Sequence, residues 1–200
     1  RNTNAYGNNI FLDNISVTTG APTVTQPANQ TVCNNTATAA VTFTGSVPGT
    51  TFSWTNNTPS IGLAASGTGN IASFTAVNTG TAPVVATITV TPALGACVGT
   101  PATFTITVNP TPNAIATPAT QTICTGTAIT PIVLTSAVAG TTYTWSRDNT
   151  ASITGIAANG TGNITGTMTN LTTAPVTVTF TIIPSANGCT GAPITATVTV

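Results

Sequence analysis

The chain has 200 residues and only four charged ones, two basic and two acidic, with no His. These are Arg1, Asp13, Arg147 and Asp148, against about a quarter of all residues in an ordinary soluble chain. Two separated Arg cannot neutralise nucleic-acid phosphates or serve an anionic lipid surface. General acid–base chemistry near neutral pH lacks its usual His, Lys or carboxylate pair, so no enzyme, cofactor, metal or nucleic-acid partner is expected. Membrane insertion is not expected either, because the apolar residues, 40% of the chain, never form a run near the roughly 20 needed for a spanning helix.

In chain order, a flank comes first, from Arg1 to Pro22, and the sequence then repeats itself. Cys33 recurs as Cys124, Trp54 as Trp145, and Cys97 as Cys189. The string Gly67-Thr68-Gly69-Asn70-Ile71 recurs as Gly160-Thr161-Gly162-Asn163-Ile164. This predicts one repeat over 23–110 and a second over 111–200, each with six or seven short strands. In Ala40-Val41-Thr42-Phe43-Thr44 apolar residues alternate with Thr. The same alternation runs through Val85-Ala86-Thr87-Ile88-Thr89-Val90, Phe104-Thr105-Ile106-Thr107-Val108 and Val176-Thr177-Val178-Thr179-Phe180-Thr181-Ile182. Period two marks strands with one buried and one wet face. Thr serves the wet face as a β-branched, uncharged hydrogen-bonder.

Turn signals such as Pro48-Gly49, Asn56-Asn57 and Asn187-Gly188 separate the runs. Short strands at this spacing predict an all-β fold of tandem antiparallel sandwiches. The expected core of the first repeat includes Val41, Phe43, Phe52, Trp54, Ile71, Phe74, Val85, Ile88, Val90, Phe104 and Ile106. That of the second includes Val133, Tyr143, Trp145, Ile164, Val176, Val178, Phe180, Val198 and Val200. Trp54 and Trp145 could serve as sugar platforms, but their place in an alternating strand assigns them to the core. Asn109-Pro110-Thr111-Pro112 joins the copies, and its two Pro favour a stiff, extended junction.

The four Cys allow three pairings. Repeat symmetry favours Cys33 with Cys97 and Cys124 with Cys189, each closing a loop of about 65 residues and contributing about 4 kcal/mol. No C-x-x-C spacing suggests zinc, and no His stands ready to activate a thiol. Paired Cys imply an oxidising, extracytoplasmic compartment. The remaining chemistry-bearing residues carry little. Asp13 and Asp148 lie in different segments, so they make no catalytic pair. Arg147-Asp148 occurs in one copy only and reads as a solvated loop pair of small energetic weight. The Gly67–Ile71 string lacks the Lys-Ser/Thr of a phosphate cradle, and its recurrence fits a turn that needs positive φ.

Thr51-Phe52-Ser53-Trp54 and Tyr143-Thr144-Trp145 resemble the Trp-bearing strand of PKD and immunoglobulin-like domains. The strings Ala86–Pro92, Gly95–Pro101 and Thr103–Pro110 resemble the PKD-like repeats of very long Bacteroidota surface proteins. The usual Trp-Asp-Phe-Gly-Asp-Gly continuation is replaced by Thr55-Asn56-Asn57 and by Ser146-Arg147-Asp148, so a role tied to that acidic turn does not carry over. The Cys33-to-Trp54 spacing is longer than in antibody domains, which places the cysteines in a staple at the end of the sandwich rather than between its sheets. Gly7 to Val17 resembles the closing strand of jelly-roll modules, in which Asp13 could contribute to a structural calcium site.

The resemblance implies a non-catalytic stalk segment of a secreted cell-surface adhesin, of the gliding-adhesin type exported by type IX secretion. The expected partners are neighbouring repeats of the same long chain, surface polysaccharide or neighbouring filaments. Two alternatives remain open: a self-assembling extracellular filament subunit, and a spacer or binding module of a secreted polysaccharide-degrading enzyme.

Overall fold

The computed structural model describes residues 20–200. Two sandwiches follow one another, each built around a mainly antiparallel sheet of six strands. In the first, Val84–Leu94 is central. It pairs antiparallel with Thr51–Asn56 on one side and with Ala102–Asn109 on the other. Gln30–Cys33 then runs parallel to Ala102–Asn109, with Cys33 opposite Asn109. Ser66–Thr68 forms the far edge, and the short Cys97–Val98 strand folds back onto the end of Val84–Leu94.

The second sandwich repeats this order. Thr177–Ala186 is central between Thr142–Arg147 and Ile194–Thr199, Thr120–Thr122 runs parallel to Ile194–Thr199, and Cys189–Thr190 folds back at the end. The opposite layers differ. The first repeat is held there by isolated bridges such as Val24↔Gly45, Ala37↔Thr75 and Val41↔Ile71. The second has Val133–Thr135 on Ile115–Thr117, and Thr167–Asn170 between Ile153–Thr154 and Thr127–Ala128. Among the described residues there is no α-helix, only a single 3-10 turn at Pro59–Ile61. Among the same residues no helix is long and apolar enough to cross a membrane.

Alternation explains the cores. Along Val84–Leu94 the side chains of Ala86, Ile88 and Val90 are fully buried while the intervening Thr face outward. Fully burying an Ile or Phe contributes about 1.5–3 kcal/mol, and Phe104, Phe180, Ile88, Ile106 and Ile182 are all sealed from solvent. Two expected core residues are not core. Val85 is 52% exposed and Val133 is 42% exposed. Strict period two puts Val85 on the Thr face, in phase with Thr87 and Thr89. Val133 lies inside the apolar run Ile132-Val133-Leu134, of which only the outer two point inward. Phe52, Phe74, Tyr143 and Val176 are half-buried against their cores. The opposite layers add core residues that no alternation announces: Ile61 and Leu63 in one repeat, and Ile129, Ile153, Ile156 and Met168 in the other.

The recurring Gly-Thr-Gly-Asn string has a role at each position. Gly67 and Gly160 lie under the indoles of Trp54 and Trp145, where a Cβ would stand 2.2 Å from a ring carbon. It is the second glycine of each string, Gly69 and Gly162, that takes positive φ, +67° and +66°. Asn70 Oδ1 then accepts the Phe43 N–H at 2.9 Å, and Asn163 Oδ1 accepts the Leu134 N–H at 2.9 Å. The next residue, Ile71 or Ile164, bridges to the opposite layer. The string therefore closes the sandwich at one corner and seats its Trp.

Candidate functional site: the junction between the repeats

The described residues bring no three His, Cys, Asp or Glu together. What they do assemble is a junction. Cys33 ends its strand opposite Asn109, and the following turn is fixed by Thr36, whose N–H and Oγ1 both bond the Cys33 carbonyl, at 3.1 and 2.6 Å. Asn35 occupies the left-handed region at φ +61°, which Asn tolerates better than most residues. From the second repeat, the hairpin Ala186–Cys189 turns through Asn187 and Gly188, both at positive φ. Asn109 Nδ2 crosses the junction to donate to the Asn187 carbonyl at 2.8 Å.

Pro110 and Pro112 are buried in this junction, and Asn34 Nδ2 donates to Thr111 Oγ1 at 3.5 Å. The linker is thus packed against both repeats. Gly191 leaves room for it: a Cβ there would meet the Pro112 carbonyl oxygen at 1.9 Å.

Cys33 and Cys189 are disulfide-bonded, with S–S 1.98 Å and Cα–Cα 5.7 Å, across 156 positions of sequence. Cys97 and Cys124 are free and exposed. This overturns the expected within-copy pairs Cys33–Cys97 and Cys124–Cys189. Strand length is the reason. Cys33 lies at the C-terminal end of Ala102–Asn109, whereas Cys97 lies beyond its N-terminal end. That strand has 8 residues, about 25 Å at roughly 3.3 Å per residue, and a disulfide needs Cα atoms within about 7 Å. Each repeat carries its two cysteines at opposite ends, so a bridge forms only where two ends meet.

The other singled-out residues lie elsewhere. Trp54 and Trp145 are 7% and 8% exposed and belong to the two cores. Their buried indole N–H groups have no hydrogen-bond partner. Asp13 and the strand predicted around it, in the 1–22 flank, lie outside the described residues.

Arg147 and Asp148 do not act as an ion pair. Arg147 Nε and Nη2 donate to the backbone carbonyls of Ile153, Ile156 and Ala157, and Nη1 to the backbone carbonyl of Asp148. Burial pulls the guanidinium pKa below its ordinary value, and the charge of Asp148 acts in the opposite direction. Asp148 Oδ1 accepts the Thr179 N–H at 2.7 Å.

Paired cores, a Trp-bearing strand beside the central one and a parallel edge strand define a tandem immunoglobulin-like all-β architecture. The sequence matches the PKD-like domain family over residues 30–112 and again over 121–200. The chain belongs to that family, as a tandem pair joined by one disulfide. No curated protein sequence matches it.

Among solved structures it is similar to immunoglobulin domains 1–4 of Sidekick-1, with 12% identity and a TM-score of 0.46, over 89% of this chain and 48% of that one. It is also similar to mouse cadherin-23 EC22–24, with 14% identity and a TM-score of 0.48, over 90% and 65%. The N-terminal four Ig domains of Dscam1 isoform 6.9 give 12% identity and a TM-score of 0.44, over 92% and 46%. In each case the chain spans less than two thirds of the other's length.

Proposed function

We propose that the chain is a non-catalytic, stiff spacer within a long secreted protein at a cell surface, of the adhesin type found in Bacteroidota and exported by type IX secretion. One observation carries the reading: the Cys33–Cys189 bridge spans the junction and fixes one repeat on the next. A bridge placed between domains removes their freedom to bend against each other. The buried Pro110 and Pro112 and the Asn109–Asn187 hydrogen bond act in the same direction. A persistent disulfide also belongs to an oxidising, extracytoplasmic setting. The role is to hold a binding end away from the surface that carries it.

Small-angle X-ray scattering of the oxidised chain and of Cys33→Ser tests the stiffness. The expected result is a narrow, elongated distance distribution that broadens in the variant. Indistinguishable profiles would overturn the reading. Particle size that grows with concentration would instead favour a self-assembling filament. Antibody labelling of intact cells tests the location, and labelling that appears only after lysis would remove the surface assignment.

A further inference from the structure

Cys124 is mounted as Cys33 is. Thr127 bonds the Cys124 carbonyl through its N–H and its Oγ1, at 3.2 and 2.6 Å, as Thr36 bonds that of Cys33. Gly126 at φ +77° stands where Asn35 stands. Its N–H donates to the Met168 carbonyl as that of Asn35 donates to Ala76. Thr125 Oγ1 accepts the Asn170 N–H at 2.9 Å, as Asn34 Oδ1 accepts that of Asn78 at 2.8 Å. Beside Cys124 lies an open concavity of about 360 Å³, lined among others by Ile123, Asn170, Pro175 and Val200.

Cys97 is mounted as Cys189 is. Leu94 pairs with Cys97 as Ala186 pairs with Cys189. The Gly99 N–H bonds the Pro92 carbonyl as that of Gly191 bonds Pro184. A Cβ on Gly99 would meet the Pro22 carbonyl oxygen at 1.6 Å, the same close approach that Pro112 makes to Gly191. The chain therefore enters the first repeat past Cys97 by the path it takes into the second past Cys189. Burial marks the difference between the two ends. Ala186 and Cys189 are 5% and 2% exposed against the preceding repeat, whereas their counterparts Leu94 and Cys97 are half-buried and exposed.

We infer that Cys124 and Cys97 are the two open halves of the Cys33–Cys189 bridge. Cys124 takes the Cys189-type cysteine of a further PKD-like repeat docked on the Val200 end, and Cys97 takes the Cys33-type cysteine of one docked on the entry face. Each bridge forms by thiol–disulfide exchange. Two thiols lose two protons and two electrons to an external protein or small-molecule disulfide, which is reduced to two thiols as the S–S bond forms. The pairing depends on junction geometry alone and holds whether or not the chain serves adhesion.

The test appends a second copy of residues 109–200 directly after Val200, so that Asn109 follows Val200 as it follows Val108. After oxidation with a glutathione redox buffer, non-reducing peptide mapping should link Cys124 to the Cys189 of the appended copy, with Cys33–Cys189 retained. Only Cys97 and the appended Cys124 should then take up an alkylating reagent. Alkylation of Cys124 and of the appended Cys189 while Cys33–Cys189 stays intact would overturn the inference, as would a Cys97–Cys124 link within one molecule. Loss of Cys33–Cys189 from the unextended chain would overturn it too, by removing its template. Changing Cys124→Ser in the extended chain should free only the appended Cys189, which separates failure to pair from failure to fold.

Discussion

The two repeats make the same hydrogen bonds with different residues. In the first, Asn56 Nδ2 donates to the Leu63 carbonyl at 3.0 Å, and Asn57 Oδ1 accepts the Thr87 N–H at 2.8 Å. In the second, Arg147 reaches the Ile156 carbonyl at 2.7 Å and Asp148 accepts the Thr179 N–H at 2.7 Å. Each charged residue keeps the bond its neutral counterpart makes, and Arg147 adds donations to the carbonyls of Ile153, Ala157 and Asp148, so half of the chain's charge does turn-closing work. The cores trade residues in the same way. Ile88 faces Phe104 across the first sheet, and Phe180 faces Ala196 across the second. The large side chain has moved to the neighbouring strand and its partner has shrunk. The pairing order of the six-stranded sheets is held constant while identities drift. At the cysteines equivalent positions behave differently because the neighbour, not the repeat, decides.

The core exchange offers the largest effect. Phe104→Ala should cost about 3–5 kcal/mol by leaving a cavity, read from urea unfolding. Ile88→Phe alone should also destabilise, by about 1–3 kcal/mol, through overpacking. Combining Ile88→Phe with Phe104→Ala rebuilds the arrangement of the second repeat and should recover most of the larger loss. Additive losses would show that the two cores are not interchangeable. A middle effect is expected under the tryptophans. Gly67→Ala and Gly160→Ala each drive a Cβ into an indole, for about 1–3 kcal/mol apiece, with a shift in Trp fluorescence. Unequal costs would mean that the two Trp pockets differ. The smallest concerns the loop: Asp148→Asn should change stability by less than about 0.5 kcal/mol, because Asn57 makes the same bond without charge. Asp148→Ala should cost about 1 kcal/mol.

Much of this was legible in the sequence. Thr alternation marks the long strands because each turn of the pleat exposes every second side chain. The recurring Cys, Trp and Gly-Thr-Gly-Asn positions mark the repeat. The opposite layer is harder to see. Ile61, Leu63, Ile153, Ile156 and Met168 stand singly among Gly, Ser and Thr, and their burial follows from closure of the second layer, not from any local period. The same holds for Val85 and Val133, whose facing is fixed by phase and not by hydrophobicity. The disulfide escaped for a related reason. Repeat symmetry favours pairing inside a copy, yet a bridge between equivalent ends of successive copies satisfies it too. Only the parallel placement of Cys33 beside Asn109, a full strand length from Cys97, separates the two.

The bridge also decides how the chain would answer tension. A pull on its two ends reaches Cys33, crosses to Cys189 and leaves everything between them, a sequence separation of 156, outside the line of force. Fully drawn out, that stretch would supply about 500 Å at roughly 3.3–3.6 Å per residue. With the sulfur–sulfur bond intact none of it can be paid out, even if both sandwiches lose their fold. The tether yields only outside the Cys33–Cys189 span, so the reach of that span is set by covalent chemistry rather than by the strength of its sheets. Reduction would turn the same segment from a strut of fixed reach into a long extensible leash.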